Sequence, residues 1–389
     1  MKSIVSQDQI KAGKVTDVYF ERTRQILEEK NIHKTVTAEF VCKGFPGEYE
    51  WAIFAGLNEA AEIIKDLPID IEAVPEGSVF HEYEPVLTLT GDYLDFGIYE
   101  TAILGYLCQA SGIATKAARC RKAAGEKPMV SFGARRMHPA IAPVVERNAY
   151  IGGCDGVASV AAAEYLGQDP VGTIPHALIL IMGDTVEATN AFNEIIDEKV
   201  NRISLVDTFS DEKFETLRVA ESLGDALFGV RLDTPSSRRG DLLEIMKEVR
   251  WELDLRGFDH VKLFVSGGLD EYTITEYNSV ADAYGVGTSV STAPVIDFSL
   301  DIVDIEGEPM AKRGKTSGQK MLWRCESCLR QKTVPKQADA PGCMECRTPM
   351  QPLLKQVKSA DSETIEISTH KTVRDYVLKQ LPYISLDLP

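Results

Sequence analysis

No stretch of this sequence stays apolar for long enough to cross a bilayer. The longest apolar run near the middle, Ala177 to Met182, falls far short of the ~20 residues that a spanning helix needs. The opening residues, Met1 to Gln9, lack the apolar core of a secretory signal. Basic side chains are also short: 42 Lys and Arg against 59 Asp and Glu leave a net charge of −17. Such a surface repels polyanions and excludes a general nucleic-acid binder, while leaving room for a local basic pocket around one phosphorylated ligand. Nor do the eight cysteines make a disulfide framework. Four crowd into residues 325–346, and Cys42, Cys108, Cys120 and Cys154 are scattered. These absences predict a cytoplasmic protein of a reducing compartment, with no membrane partner.

The rest of the composition is ordinary. With 389 residues, 44% hydrophobic and 26% charged, the chain has the mass for two or three domains and a substantial core. Residues 1–110 mix short strand-like runs with helical stretches, an α+β pattern. Trp51 to Ile64 has helix-like apolar spacing, Val79-Phe80 and Val86 to Thr90 read as strands with Gly91-Asp92 as a turn, and Phe96 to Ala124 suits one or two buried helices.

From about residue 111 to 295 apolar runs alternate with polar or glycine loops and helical stretches. The runs are Met129–Phe132, Ile203–Val206, Leu227–Leu232, Val261–Val265 and Tyr284–Val286, and helices are expected at Lys213–Leu223, Asp241–Leu255 and Thr273–Tyr284. This alternation predicts a parallel sheet, open or closed. Each run leads straight into chemically useful residues: Gly133-Ala134-Arg135-Arg136, Asp207-Thr208, Asp233-Thr234, Ser266-Gly267-Gly268 and Gly287-Thr288. Function spread over the C-terminal ends of consecutive strands favours a (β/α) barrel over a doubly wound sheet, whose ligand gathers at one switch point. Residues 296–389 become irregular and form a C-terminal domain, whose last segment is expected to rejoin the N-terminal domain.

The sharpest isolated signal is Cys325-x-x-Cys328, fourteen residues, then Cys343-x-x-Cys346. Two such knuckles present four thiolates tetrahedrally, as structural Zn²⁺ requires. Six basic and three acidic residues between Lys320 and Met350 give +3, and a zinc site of four thiolates takes back about two charges. Only Trp323 is available for stacking, so the module reads as a structural clip, with no nucleic-acid partner.

Arg135 and Arg136 suit a carboxylate or phosphate, though solvated surface arginines are the plain alternative. Arg231 and Asp233 share one face of a strand, where a structural ion pair is the plain alternative. Gly267-Gly268 and Gly285-Val286-Gly287-Thr288 offer backbone N–H groups to a phosphate. His176, behind Gly172-Thr173-Ile174-Pro175 and before an apolar stretch expected to be buried, and His138 are the histidines nearest these motifs.

Taken together, six ordered motifs resemble the nicotinate phosphoribosyltransferases of the type II phosphoribosyltransferase group. They are Thr16-Asp17-Val18-Tyr19, Ser131–Arg136, Tyr150–Asp155, Gly172-Thr173-x-x-His176, Val230–Thr234 and Gly285–Ser289. The form is archaeal-type, with an added zinc module. Ser111-Gly112-Ile113-Ala114-Thr115 is also similar to quinolinate phosphoribosyltransferases. The resemblance implies transfer of phosphoribose from 5-phosphoribosyl 1-pyrophosphate to nicotinate, with Mg²⁺ on the pyrophosphate and stimulation by ATP through a phosphorylated histidine, matched by His176. It implies a pyridine ring between Tyr19 and Phe132, the tyrosine coming from a neighbouring subunit. That means a dimer with composite sites, and rings of such dimers up to a hexamer.

By the same resemblance Asp207 and Asp233 stabilise developing positive charge on the ribose. Arg135, Arg136, His138, Thr173, Arg231 and Thr234 bind substrate, and Gly267, Gly268, Gly287 and Thr288 hold the 5′-phosphate. Nicotinamide enzymes carry an aspartate where this chain has Ala158; its absence favours an acid as substrate. Quinolinate as substrate and a non-catalytic zinc-ribbon scaffold are the alternatives.

Overall fold

The computed structural model describes residues 4–237, 240–362 and 364–386. The chain divides into two compact units, one made of residues up to Ala118 and from Ala293 onward, the other of Arg119–Thr292. The N-terminal and C-terminal regions thus form one unit instead of two, and the first division falls inside the helix Glu100–Ala124.

The discontinuous unit is built on a six-stranded sheet in the order 308–309, 298–305, 35–42, 85–92, 70–73 and 355–358. All its pairings are antiparallel. Phe40, Ile71, Leu87 and Phe298 of its strands join Ile64 and Phe96 in one core, which also takes Leu322, Leu353 and Leu354 from the C-terminal region. The helix expected from Trp51 begins only at Leu57, because Ala52-Ile53 pairs with Val79-Phe80 as a strand and Gly56 breaks the chain direction at φ +93°. A Cβ on Gly56 would lie 2.5 Å from the Tyr106 carbonyl oxygen, so no other residue fits there. Gly91 and Asp92 continue their strand instead of turning, paired with Val36 and Thr35. The C-terminal helix His370–Gln380 lies against this unit: Gln380 donates to the Gly77 carbonyl (2.8 Å) and accepts from the Val79 amide (2.9 Å).

The continuous unit carries six parallel strands: β1 (Met129–Ser131), β2 (Gly156–Val157), β3 (Ile203–Leu205), β4 (Gly229–Leu232), β5 (Lys262–Ser266) and β6 (Ala283–Val286). Their order in the sheet is β2-β1-β6-β5-β4-β3, every pair parallel. That is the cyclic order of a (β/α) barrel left open between β2 and β3. β1, β3 and β6 are buried at every position, which is why they read as short unbroken apolar runs.

Helices Glu212–Leu223 and Leu242–Leu255 fall within a residue of expectation, each started by an aspartate, Asp211 or Asp241, whose carboxylate accepts from two first-turn amides. The expected helix Thr273–Tyr284 instead runs Glu271–Tyr277 and stops. Asn278 ends it by donating to the Ala123 carbonyl (2.9 Å) and accepting from the Tyr284 hydroxyl (2.9 Å), which frees Tyr284 for β6. The apolar stretch after His176 forms the helix His176–Met182, but only Ile179 in it is buried, and Ile181 is 84% exposed.

Candidate active site

Parallel strands deliver their C-terminal ends to one edge of the sheet, and the loops there gather the residues with chemistry. Phe132 follows β1, Asp207 and Thr208 follow β3, Asp233 and Thr234 follow β4, Gly267 and Gly268 follow β5, and Gly287 and Thr288 follow β6. Two neighbouring cavities open among them, of about 490 and 440 Å³, sharing Phe132, Arg135, Arg231 and Asp233. The first is walled further by Arg136, Thr234, Gly267, Gly268, Gly287 and Thr288. The second is walled by Thr173, His176, Ala158 and Ser159.

Arg231 is the fixed centre of both. Its Nε donates to Ser266 Oγ (2.9 Å), one Nη to Thr173 Oγ1 (2.6 Å) and the other to Asp233 Oδ2 (2.7 Å). Ser266 in turn donates to Asp233 Oδ1 (2.8 Å), closing a ring of three side chains from β4, β5 and the loop after β4. The guanidinium lies 5.4 Å from the Phe132 ring centroid, and Phe132 stacks on Phe264 at 5.9 Å. Gly285 makes room for that ring: a Cβ there would meet Phe132 at 2.5 Å. Gly267 and Gly268 adopt φ of +89° and +72°, a left-handed pair that leaves their amides uncovered beside Asp233.

His176 places Nδ1 2.9 Å from Thr208 Oγ1, while Nε2 faces two carboxylates, Asp233 at 3.8 Å and Asp207 at 4.0 Å. The Asp207 side chain is 2% exposed, and neither of its oxygens has a hydrogen-bond partner among the described residues. Burial raises its pKa above the ordinary carboxylate value, opposed by His176 and reinforced by Asp233. A buried carboxylate facing His176 beside the cavity-lining Asp233 suits a cationic partner, whether a hydrated divalent ion carried in with a pyrophosphate or a positive charge developing on substrate.

Not every expected residue is drawn into the cavities. Arg135 and Arg136 are exposed on the rim, as the loop after β1 turns outward. His138 is not brought to either cavity: it is exposed, and its ring accepts from the Ala140 amide (3.1 Å) in a local turn. Tyr19 belongs to the discontinuous unit, 56% exposed on the helix Val18–Glu29, its hydroxyl directed to Asp17 (3.4 Å).

Sequence reasoning missed Glu146. Fully buried, it accepts from the amides of Ala158 (2.9 Å) and Ser159 (3.0 Å) and from the Ser159 hydroxyl, fixing the loop that walls the second cavity. Its signal is a lone acid on an otherwise apolar helix face, which is too common to single out.

In the discontinuous unit the four cysteines converge, with all Sγ atoms within 4.8 Å of one another and Cys328 and Cys343 3.6 Å apart. A tetrahedron with Zn–S bonds of ~2.3 Å needs sulfurs ~3.8 Å apart, so the donor set fits Zn²⁺. The two knuckles have the same backbone: Leu329 and Arg347 donate to the Cys325 and Cys343 carbonyls (2.9 Å each) and take left-handed φ of 60° and 56°.

An open parallel barrel with glycine turns, a guanidinium beside an aromatic ring and two carboxylates at its C-terminal edge suits a phosphorylated ligand and a planar ring. The chain belongs to the quinolinate phosphoribosyl transferase family, whose N-terminal domain matches residues 17–111 and whose C-terminal domain matches residues 113–301. It is 52% identical, over the full length of both chains and at a TM-score of 0.96, to a nicotinate-nucleotide pyrophosphorylase from Pyrococcus furiosus. A nicotinate phosphoribosyltransferase of Mycobacterium tuberculosis is 32% identical over 66% of this chain, and one of Bacillus subtilis is 28% identical over 75%. The matched part spans 57% and 66% of those two relatives' own lengths. Human nicotinic acid phosphoribosyltransferase shares the fold at a TM-score of 0.72 and 18% identity, over 95% of this chain and 94% of its own. Among the described residues no helix is long and apolar enough to cross a membrane.

Proposed function

We propose that the chain is a nicotinate phosphoribosyltransferase. It joins nicotinate to 5-phosphoribosyl 1-pyrophosphate, yielding nicotinate mononucleotide and pyrophosphate for NAD synthesis. The observation that carries this reading is the locked guanidinium of Arg231, held by Thr173, Ser266 and Asp233 over the face of Phe132. One fixed cation beside one aromatic face matches a planar ring bearing one carboxylate.

In this reading Phe132 and Tyr19 sandwich the ring, Tyr19 coming from a second protomer, so that the working unit is a dimer. Gly267, Gly268, Gly287 and Thr288 cradle the 5′-phosphate, and Thr234 contacts the ribose end. Arg135 and Arg136 take the pyrophosphate, whose charge Mg²⁺ neutralises when bound. Asp207 and Asp233 stabilise positive charge as the pyrophosphate departs. Nicotinate attacks through a ring nitrogen that carries no proton, so positioning and electrostatics supply most of the acceleration. His176 couples the reaction to ATP hydrolysis, its Nδ1 steadied by Thr208. Zn²⁺ on the four cysteines is structural.

The family name favours a second reading, quinolinate as substrate. Its two carboxylates need further cations. Besides Arg231, assigned here to the one carboxylate of nicotinate, the described lining of the second cavity holds one further arginine, Arg135, which is exposed.

The test is pyrophosphate release from phosphoribosyl pyrophosphate and Mg²⁺, with nicotinate, nicotinamide or quinolinate offered separately, with and without ATP. Turnover confined to nicotinate is expected. Turnover with quinolinate and release of CO₂ would establish the second reading. In the same assay H176A should lose ATP stimulation while keeping nicotinate affinity.

A further inference from the structure

A further cavity, larger than either of the two at the barrel edge, lies elsewhere. About 620 Å³ opens within the discontinuous unit, between the first cysteine knuckle, residues 351–355 and the C-terminal helix. We propose that it is a second small-molecule site, for an organic molecule with an apolar body and a single anionic group.

Arg324, the last residue of the strand Lys320–Arg324, lines the cavity and is 5% exposed. Its guanidinium donates to the Tyr376 hydroxyl (2.7 Å), to Gln380 Oε1 (2.8 Å) and to the Val79 carbonyl, all neutral acceptors. Its Nε has no acceptor among the described residues. No carboxylate among them pairs with it, and Glu84 acts on it only at longer range. A buried guanidinium without a counter-ion costs stability, and native chains tolerate few such groups without a use for them.

The remaining lining says what fits. Lys355 and Lys379 are exposed at the rim and carry no ion pair among the described residues, and neither do Glu326 and Asp375. Glu76 also lines the cavity and accepts from the Gly56 amide (2.9 Å). Three cations against three carboxylates leave the wall neutral on balance. A polyphosphate or nucleic acid is therefore disfavoured, whereas one anionic group is matched by the unpaired Lys355 and Lys379 at the rim, with the charge of Arg324 adding to their field. Leu329, Leu353 and Val373 supply an apolar wall for the body of the ligand. The chemistry is shared by a carboxylate and a phosphomonoester.

The test uses ¹⁹F NMR titration of the full chain in an R231A background, which removes the carboxylate anchor of the barrel site; the phosphate cradle there remains, so binding counts for the second site only where it responds to K379E or K355E/K379E. The probes are 4-fluorobenzoate, 4-fluorophenyl phosphate and, as an uncharged control, 4-fluorobenzamide. One of the two anions should bind at least about tenfold more tightly than the amide, and whichever binds better assigns the anionic group. K379E and R324M should each weaken that binding. R324M also removes the tie between strand and helix, so if it fails to fold, the surface pair K355E/K379E decides. Anion and amide binding alike, no saturable binding, or binding indifferent to K379E and to K355E/K379E would overturn the proposal, whatever the outcome for phosphoribosyl transfer.

Discussion

Asp207 is held where its charge is costly: its side chain is buried, and the His176 ring lies 4.0 Å away. Because burial raises its pKa, the folded chain keeps the proton to higher pH than the unfolded chain does. Its contribution to stability therefore falls as pH rises from the ordinary value of 3.8 through the raised one. D207N should accordingly be more stable than the wild type at neutral pH by roughly 1 kcal/mol, while losing about a hundredfold in kcat. The stability gap should narrow as the pH falls toward 3.8 and close below it, where both states of the wild type are protonated. Denaturation midpoints at pH 7 and pH 4 check this. A variant less stable at pH 7 would mean that Asp207 is held by bonds instead of being strained. Asp207 itself was legible in the sequence, since it follows an apolar strand directly. The hydroxyls that hold its neighbours were less so. Ser266 closes the Arg231–Asp233 ring and Thr208 holds His176, yet both are hydroxyls at strand ends or in loops, where most hydroxyls only bind water. His138 fails for the converse reason: nearness in sequence to Arg135 and Arg136 says nothing about direction once the chain turns at Pro139.

Elements were legible where burial is complete and ambiguous where it is mixed. β1, β3 and β6 are buried at every position, β3 even at the edge of the sheet, so each appears as an unbroken run. β2 has two residues, Gly156 and Val157, too few to show a period. The Ile179–Met182 run misled because apolar composition does not say which side of a short helix is covered. The cysteine knuckles are the opposite case, since ligand spacing alone fixes the geometry. Cys325 and Cys343 are buried with Met350 in a cluster of their own, against which only Trp323 and the other two cysteines pack among the described residues. Metal should then supply much of its stability. One Zn²⁺ per chain is expected on release and colorimetric assay, and C343S should bind none. Strong chelation should lower the melting temperature and speed proteolysis between Lys320 and Pro352. A chain with full thermal stability and no bound metal would show that the knuckles fold on packing alone.

At the scale of the molecule, the proposed ring-binding residues are divided between the two units, Tyr19 in one and Phe132, Thr173 and Arg231 in the other. Tyr19 is largely exposed, and its hydroxyl is directed to Asp17 at 3.4 Å. If Tyr19 completes the site of a second protomer, its loss and the loss of Asp233 strike different protomers' contributions to one site. Y19A and D233A should each be inactive alone. Mixed in equal amounts under conditions that exchange subunits, they should recover activity. Half of randomly reassorted dimers are hybrids, each with one intact site, so recovery should approach about a quarter of the wild-type rate. The same mixture without exchange should stay inactive, which controls for residual activity of either parent. Recovery absent after demonstrated exchange would place Tyr19 and Asp233 in the same protomer's site and remove the requirement for a dimer.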